Sequence, residues 1–156
     1  MVCIHPLTFT RAGKIGDFRW MITQPQYART LFLFNDNEEQ FFAYMYVKSH
    51  PGLSQAGIDE SRAYKSGGGN SIIRPYQRTG MAAGIPTGRA RRGYTDLSNC
   101  SAVIDLAFLH IRQLLASGRY TDVAFSSDGN GSLGAAIFSP SSEVNAYITN
   151  CIYSLL

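Results

Sequence analysis

The strongest constraint on the fold is a long amphipathic helical pattern that is followed at once by an apolar strand pattern. Between residues 98 and 117, apolar side chains recur at helical spacing, and Gly118 supplies a C-terminal stop. Residues 120–125 then have the pattern of a strand, and residues 30–34 form another, continuously apolar strand. Because a strand, a helix and a further strand follow one another along the chain, the sequence predicts an α/β or α+β fold, with a mixed central sheet and flanking helices.

Shorter patterns predict the elements after the first strand. Asp36 is predicted to cap a short helix, because Glu38 and Glu39 would then meet the positive end of the helix dipole. A strand over residues 41–46 is the competing prediction. Residues 51–57 are predicted to form an exposed loop, because proline and glycine interrupt the chain there.

The remaining segments are rich in glycine or lie near the C-terminus. Residues 66–70 and residues 84–88 are predicted to be irregular loops, because glycine dominates both. Residues 135–138 are predicted to be a further strand, and a last helix is predicted from Ser141 onward. The side chains that this helix is predicted to bury are Val144, Tyr147, Ile148, Cys151 and Leu155.

The length of the chain predicts one domain spanning residues 1–156, of which 45% are hydrophobic. No apolar run approaches the roughly 20 residues of a membrane span, and the N-terminus lacks a basic segment followed by an apolar one. We therefore expect a cytoplasmic protein that does not contact a membrane. The three cysteines have no CxxC spacing, so we expect buried thiols rather than disulfides or a zinc site. We expect no other cofactor.

Half of the basic residues fall in one stretch that has no acidic residue. Residues 61–95 contain seven of the fourteen Arg and Lys residues and seven of the fifteen glycines, but neither Asp nor Glu. Most of these cations are arginines, whose planar guanidinium suits bidentate recognition of phosphate. The stretch therefore predicts a site for a phosphate-bearing ligand, and a solvated basic loop is the structural alternative. The candidate phosphate contacts are Arg74, Arg78, Arg89, Arg91 and Arg92.

Three polar loops supply the other candidate contacts, because ligands of layered α/β folds bind where loops follow strands. The backbone around Gly68 and Gly69 can offer N–H donors without obstruction by a Cβ atom. The remaining candidates are Asn35, Asn37, Asn70 and Asp128 for ribose or base edges, and Tyr76 and Tyr94 for stacking a base. The structural alternative for the polar residues is ordinary hydrogen bonding within turns, and the alternative for the tyrosines is that their rings cover the core.

Candidates for catalysis are few. Residues 129–134 match the pattern GxGxxG, which a flexible turn explains equally well. His110 lies within the long predicted helix, where we expect a structural histidine with a hydrogen-bond partner. Asp36 and Asp128 both follow predicted strands, so they either meet as an acid–base pair or hydrogen-bond within their own loops.

Four blocks of sequence carry a resemblance to known proteins: FNDNEEQF (34–41), GGGNSIIRPY (67–76), GIPTG (84–88) and SSDGNGSLG (126–134). The chain resembles the phage-encoded sponge proteins that counter Thoeris defence. This resemblance implies a small α/β protein that sequesters glycocyclic ADP-ribose without cleaving it, in the cytoplasm of the infected bacterium. It also implies a homo-oligomer, a dimer or a hexamer, and a separate site for cyclic oligonucleotides.

The same blocks are similar to macrodomains, in which an Asn-containing loop, a glycine loop and a late phosphate loop follow in this order. That similarity implies ADP-ribose binding or hydrolysis, with Asp36 or Asp128 positioning a water molecule. An RNA-binding module is the third alternative, and a net charge of only +3 disfavours extended nucleic acid. The sequence therefore predicts a binding protein, not an enzyme, for an anionic cyclic nucleotide.

Overall fold

The centre of the fold is a five-stranded sheet. The structure is a computed structural model that describes residues 1–52, 56–135 and 137–156. In space the strands follow the order β1-β5-β2-β3-β4, and all neighbours are parallel except the last pair. In chain order they are β1 (Cys3–Leu7), β2 (Thr30–Asn37), β3 (Ala82–Arg89), β4 (Arg92–Gly93) and β5 (Asp122–Ser126).

Helices cover both faces of this sheet. Two 3₁₀ segments, Pro25–Tyr27 and Gly69–Thr79, accompany the α-helices. The predicted fold class, a layered α/β domain with a mixed sheet and flanking helices, is confirmed. No helix in the described part of the chain is both long and apolar enough to cross a membrane. The α-helices are α1 (Phe18–Met21), α2 (Glu38–Ser49), α3 (Ala56–Ala63), α4 (Leu97–Leu115) and α5 (Ser142–Tyr153).

Strand β2 is buried on both faces. Leu31 and Leu33 point into a core formed with α2, α4 and α5, whereas Phe32 and Phe34 point into a second core formed with α1 and the Gly69–Thr79 segment. None of the four side chains is more than 1% exposed. A parallel strand that is covered on both sides has no polar face, which explains the continuous apolar run in the sequence.

Helices α4 and α5 confirm predictions that were based on apolar spacing. Helix α5 starts directly after Ser141, whose hydroxyl accepts a hydrogen bond from the backbone N–H of Val144. Of its predicted core residues, Val144 and Ile148 are buried, whereas Tyr147, Cys151 and Leu155 are partly exposed. The buried face of α4 includes apolar side chains at this spacing: Val103, Ile104, Ala107, Phe108 and Ile111.

The helix after β2 is present, but its cap is not the predicted residue. Helix α2 spans Glu38–Ser49, so the helix is confirmed over the competing strand. Asn37 rather than Asp36 caps it, because Asn37 Oδ1 accepts a hydrogen bond from the backbone N–H of Gln40 at 2.9 Å. Asp36 is the buried penultimate residue of β2 and bonds to Arg74 instead.

Residues 84–88 belong to β3, which corrects the predicted loop. They lie inside the sheet, where hydrogen bonds to the neighbouring strands outweigh the low strand propensity of glycine and proline. A Cβ atom at Gly84 would lie 2.5 Å from Asp36 Oδ2 and 3.0 Å from the ring of Phe34. Glycine is therefore required at this point because β2 packs directly against the β3 backbone.

The boundaries of two predicted loops are also wrong. The glycine-rich stretch 66–70 runs into the 3₁₀ segment, in which Ser71, Arg74 and Gln77 are buried at the threefold spacing of such a helix. Helix α3 begins within the predicted loop 51–57, of which residues 53–55 lie outside the described residues.

The predicted strand over residues 135–138 is wrong where the chain is described, because Ile137 and Phe138 form a bend. The φ angle of Phe138 is 52°, which a strand does not allow. Ala136 lies outside the described residues. Among the thiols, Cys100 is buried as predicted, whereas Cys3 is exposed because it lies on an edge strand.

Strand β1 is an edge strand that the sequence analysis did not predict. The backbone N–H of Cys3 donates to the carbonyl oxygen of Thr121 at 3.0 Å, so the alternate residues Ile4 and Pro6 face the open edge. Pro6 has no N–H to offer there, and this weakens pairing with a further strand. The open edge is therefore poorly suited to join two copies of the chain.

His110 has the structural role that the sequence predicts. It is 6% exposed within α4, and its Nε2 atom lies 3.0 Å from the hydroxyl of Tyr44 in α2. Burial, together with the smaller effect of the positive charge of Lys48, lowers the pKa of His110 to about 4. The imidazole is therefore neutral at pH 7 and connects α2 to α4.

Acid should destabilise the protein through His110. The unfolded chain takes up this proton near pH 6.5, whereas the folded chain resists it until about pH 4, so stability falls as the pH decreases through this window. Between pH 7.5 and pH 5 we expect this residue to lower the free energy of unfolding by about 2 kcal/mol. Urea denaturation at both pH values measures the loss. His110→Gln should lose less, and equal losses in both proteins would contradict this role.

Candidate functional site

A cleft of about 1060 Å³ opens at one end of the sheet. Its floor consists of the carboxyl ends of three neighbouring parallel strands: residues 35–37 of β2, residues 87–89 of β3 and Ser126 of β5. Loops that follow parallel strands converge at this end of a sheet, which is where layered α/β proteins bind ligands. The cleft is therefore the candidate functional site.

Four chain segments form the walls of the cleft. Residues 65–72 contribute a glycine-rich wall, and residues 88–92 contribute the hairpin between β3 and β4. Residues 16–19, together with Phe9, form a third wall, and residues 137–138 form the fourth. The cleft thus combines accessible backbone, a cluster of arginines and apolar side chains.

Asn35 joins the loops that surround the cleft. Its backbone N–H donates to Asn70 Oδ1 at 2.9 Å, and its Nδ2 atom donates to the carbonyl oxygen of Gly134 at 2.8 Å. These bonds connect the end of β2 to the glycine-rich wall on one side and to the loop after β5 on the other. Asn35 and Asn70 therefore use part of their hydrogen-bonding capacity to shape the cleft.

A buried ion pair lies at the base of the glycine-rich wall. Arg74 and Asp36 are 3% and 4% exposed. The Nε and Nη2 atoms of Arg74 donate to Asp36 Oδ1 at 3.2 and 2.7 Å, and Nη1 donates to the carbonyl oxygen of Lys65 at 2.8 Å. Burial raises the pKa of the Asp36 carboxyl, and the positive charge of Arg74 opposes that rise. The arginine thus anchors the wall to the end of β2.

The ion pair also explains a glycine of the wall. A Cβ atom at Gly67 would lie 2.5 Å from Ser71 Oγ and 2.8 Å from Arg74 Nη1, so only glycine leaves room for the guanidinium.

The two carboxylate oxygens of Asp36 differ in their hydrogen bonding. Asp36 Oδ2 is buried without a hydrogen-bond partner among the described residues. All the hydrogen bonds of this carboxylate therefore converge on its other oxygen.

The arginine-rich hairpin has a backbone conformation that residues other than glycine rarely adopt. Arg89 pairs with Arg92, which leaves Ala90 and Arg91 as a two-residue turn with φ angles of 50° and 62°. Such a turn matches type I′, for which Asn-Gly is the usual sequence. Glu39 Oε1 accepts a hydrogen bond from the N–H of Ala90 at 2.8 Å and anchors the turn to α2. Strain of this kind concentrates at functional sites.

The structure brings most of the predicted ligand residues to the cleft. Arg74 is engaged by Asp36, so among the predicted arginines of the cleft the exposed guanidinium groups are those of the hairpin. Arg89 also lies 4.0 Å from a carboxylate oxygen of Glu38. The predicted residues that line the cleft are Asn35, Asn37, Gly68, Gly69, Asn70, Arg74, Arg89, Arg91 and Arg92.

Arg78 and Tyr94 lie outside the cleft, which corrects their predicted placement. Arg78 forms an ion pair with Glu60 at 2.5 Å, and its guanidinium lies 4.1 Å from the ring centre of Tyr64. Tyr94 is 6% exposed and its hydroxyl donates to Glu38 Oε1 at 3.0 Å. Burial and this carboxylate raise the pKa of Tyr94. Both side chains are thus held by partners on other elements.

Tyr76 and Asp128 also lie outside the cleft. Tyr76 packs against the core around Phe32, which is the structural alternative to base stacking. Asp128 Oδ1 accepts hydrogen bonds from the backbone N–H groups of Asn130 and Ser132, at 2.8 and 3.2 Å. Asp128 therefore stabilises its own loop, which is the second of the two alternatives for this residue, and does not join Asp36 in the cleft.

Several residues of the cleft were not predicted from the sequence, and five of them have charged or large apolar side chains. Phe9, Asp17 and Arg19 precede β2 in a segment to which no element was assigned, and Ile137 and Phe138 were placed in a strand. Asp17 Oδ2 accepts a hydrogen bond from the N–H of Gly13 at 2.6 Å. No periodic pattern marks these positions, and a sequence does not show which loop side chains remain exposed.

The cleft carries more positive than negative side chains. Its acidic residues all have hydrogen-bond donors as partners: Gly13 for Asp17, Arg74 for Asp36 and Ala90 for Glu39. In the described part of the chain, no group of three or more His, Cys, Asp and Glu side chains could hold a metal ion. The cleft therefore suits an anion. Its cations are Arg19, Lys65, Arg74, Arg89, Arg91 and Arg92.

Comparison with known proteins assigns no family to the chain. No protein-family model, no curated protein and no solved structure matches it. The chemistry of the cleft is therefore the basis for inferring a function.

Arg74→Ala should destabilise the protein by about 3–5 kcal/mol, because it leaves the carboxylate of Asp36 buried without its cation. Urea denaturation measures this loss. The matched control is Arg78→Ala, whose exposed pair with Glu60 should cost about 1 kcal/mol or less. Equal losses in the two variants would contradict the anchoring role of Arg74.

Proposed function

We propose that the cleft binds a cyclic nucleotide of the ADP-ribose type, such as glycocyclic ADP-ribose, and retains it without cleaving it. The observation that carries this proposal is the strained hairpin, which presents three exposed arginines at the carboxyl ends of parallel strands. Guanidinium groups in such a cluster can hold the two phosphates of a pyrophosphate bridge, each with charge-assisted hydrogen bonds.

The glycine-rich wall supports the same ligand. Gly68 and Gly69 line the cleft, and no atom outside the adjoining chain segment lies within 4 Å of the position that a Cβ atom would take at either residue. A ligand can therefore approach the backbone N–H groups closely, as in other loops that bind phosphate. The cleft volume of about 1060 Å³ is at the upper end of the range for small-ligand pockets, which suits a dinucleotide better than a single phosphate.

Retention rather than cleavage is supported by the acidic residues. Asp36 is buried against Arg74, Glu39 Oε1 bonds to the N–H of Ala90, and Asp17 Oδ2 bonds to the N–H of Gly13. These three carboxylates hold the walls in place, and Asp128 lies outside the cleft. A macrodomain-like hydrolase, the alternative, would need one of these groups to position a water molecule, so we favour binding alone.

The resemblance to Thoeris-countering sponges adds a biological role to the proposal. In this proposal the chain acts in the cytoplasm of an infected bacterium, where it lowers the concentration of a defence signal. A homo-oligomer and a separate site for cyclic oligonucleotides belong to the same proposal. A sponge must compete with the sensor of the signal, so we expect a dissociation constant below about 1 μM, which corresponds to roughly 8 kcal/mol.

The proposal is tested by depletion and release of the ligand. Purified protein is incubated with glycocyclic ADP-ribose, the free ligand is measured by chromatography, and the measurement is repeated after the protein is denatured. Depletion followed by full recovery of the intact molecule is the expected result. Recovery of a new product would indicate the hydrolase, and no depletion would reject the proposed ligand.

Arg91→Ala should weaken binding of glycocyclic ADP-ribose by roughly tenfold, because it removes a charge-assisted contact to phosphate at the turn of the hairpin. Isothermal titration calorimetry measures the change. Arg78→Ala is the matched control, since its guanidinium lies outside the cleft, and should bind within about twofold of the wild type. If the two variants bound equally, the hairpin would not be the phosphate site.

A further inference from the structure

Exposed apolar side chains gather at the cleft. Phe9, Ile137 and Phe138 are 61%, 59% and 52% exposed, and all three line it. Large apolar side chains that remain in water beside a polar, cationic cleft are typical of a surface that a ligand covers. The arginines account for binding of the phosphates but leave this apolar surface without a role.

Backbone strain points to the same place. Among the described residues, positive φ angles outside glycine occur at Ala90, Arg91 and Phe138, and all three positions line the cleft. A bulky residue in this conformation is a genuine outlier that persists only where the surrounding structure enforces it. The first two residues form the arginine hairpin, so Phe138 is the strained position that phosphate binding does not explain.

A close backbone contact connects Phe138 to that hairpin. A Cβ atom at Gly93, the last residue of β4, would lie 1.9 Å from the carbonyl oxygen of Ser139 and 2.7 Å from that of Phe138. The backbone of residues 138–139 thus packs directly on the end of the hairpin. The N–H of Ser141 donates to the carbonyl oxygen of Tyr94 at 2.8 Å, which holds the following residues in place.

We propose that Phe138, together with Phe9, forms the surface on which the planar base of the ligand stacks. This inference rests on the proposed function. It adds that the aromatic surface makes the cleft prefer a base-bearing nucleotide to a base-free phosphate. An aromatic ring stacks on a nucleobase of any identity and needs no hydrogen bond to do so. Base stacking was predicted for Tyr76 and Tyr94, but both tyrosines pack outside the cleft. We assign this role to Phe138 and Phe9 instead.

The test compares a base-bearing with a base-free probe. ADP-ribose and inorganic pyrophosphate are each titrated calorimetrically into the wild type and into Phe138→Leu, which keeps an apolar side chain but removes the ring. We expect the variant to bind ADP-ribose about fivefold more weakly and pyrophosphate within twofold of the wild type. Phe42→Leu is the matched control, because Phe42 is 46% exposed on α2 and lies outside the cleft.

A second variant separates recognition from folding. Phe138→Gly should raise the melting temperature, because glycine accepts a φ angle of 52° without strain, and should also weaken ADP-ribose binding. A protein that is more stable but binds less well cannot owe its defect to misfolding.

Each of the other outcomes overturns the inference. If Phe138→Leu left ADP-ribose binding unchanged, or weakened both probes equally, the ring would have no role in recognising the base, while the proposed phosphate site would stand. If the wild type bound neither probe, the inference would fail, whereas the proposed function would still be decided by the depletion of glycocyclic ADP-ribose.

Discussion

The shape of the cleft depends on the buried ion pair between Asp36 and Arg74. The carboxylate of Asp36 lies inside the protein, after the apolar run of β2. A buried charge without a partner is costly, so this carboxylate requires the guanidinium of Arg74 beside it. Because Arg74 also bonds to the backbone of Lys65, its position fixes the start of the glycine-rich wall. Two glycines follow from this arrangement: Gly67 leaves room for the guanidinium, and Gly84 leaves room for the carboxylate.

On this fixed base the cleft carries groups that folding alone does not require. The hairpin turn at Ala90 and Arg91 uses residues that do not favour its backbone conformation, and Phe138 is strained in a similar way. Both segments meet at Gly93, where their backbones are in contact. A phosphate-binding surface and a base-stacking surface that share one support would recognise both parts of a nucleotide in a fixed relative geometry.

The predictable part of the fold is the part with a regular burial period. Apolar spacing revealed α4 and α5 because each helix buries one face, and the run ending at Phe34 revealed β2 because a sheet covered on both sides needs apolar residues throughout. Strand β3 was missed because its pairing depends on neighbours distant in the chain, which allow Gly84 inside a strand. Phe138 was missed as a cleft residue because its local sequence suggests a strand, whereas its φ angle forbids one.

The sequence by itself determined the layered α/β class, the long helices and the chemistry of one acid-free, arginine-rich stretch, because periodicity and composition are local properties of the chain. Only the tertiary structure decided which arginines of that stretch remain exposed in the cleft. Arg74 is neutralised by Asp36, which is 38 positions away, and Arg78 by Glu60, which is 18 positions away, whereas Arg91 remains exposed on its turn. A cation becomes a binding group or a structural one according to the partner that folding places beside it, and that partner is not adjacent in the chain.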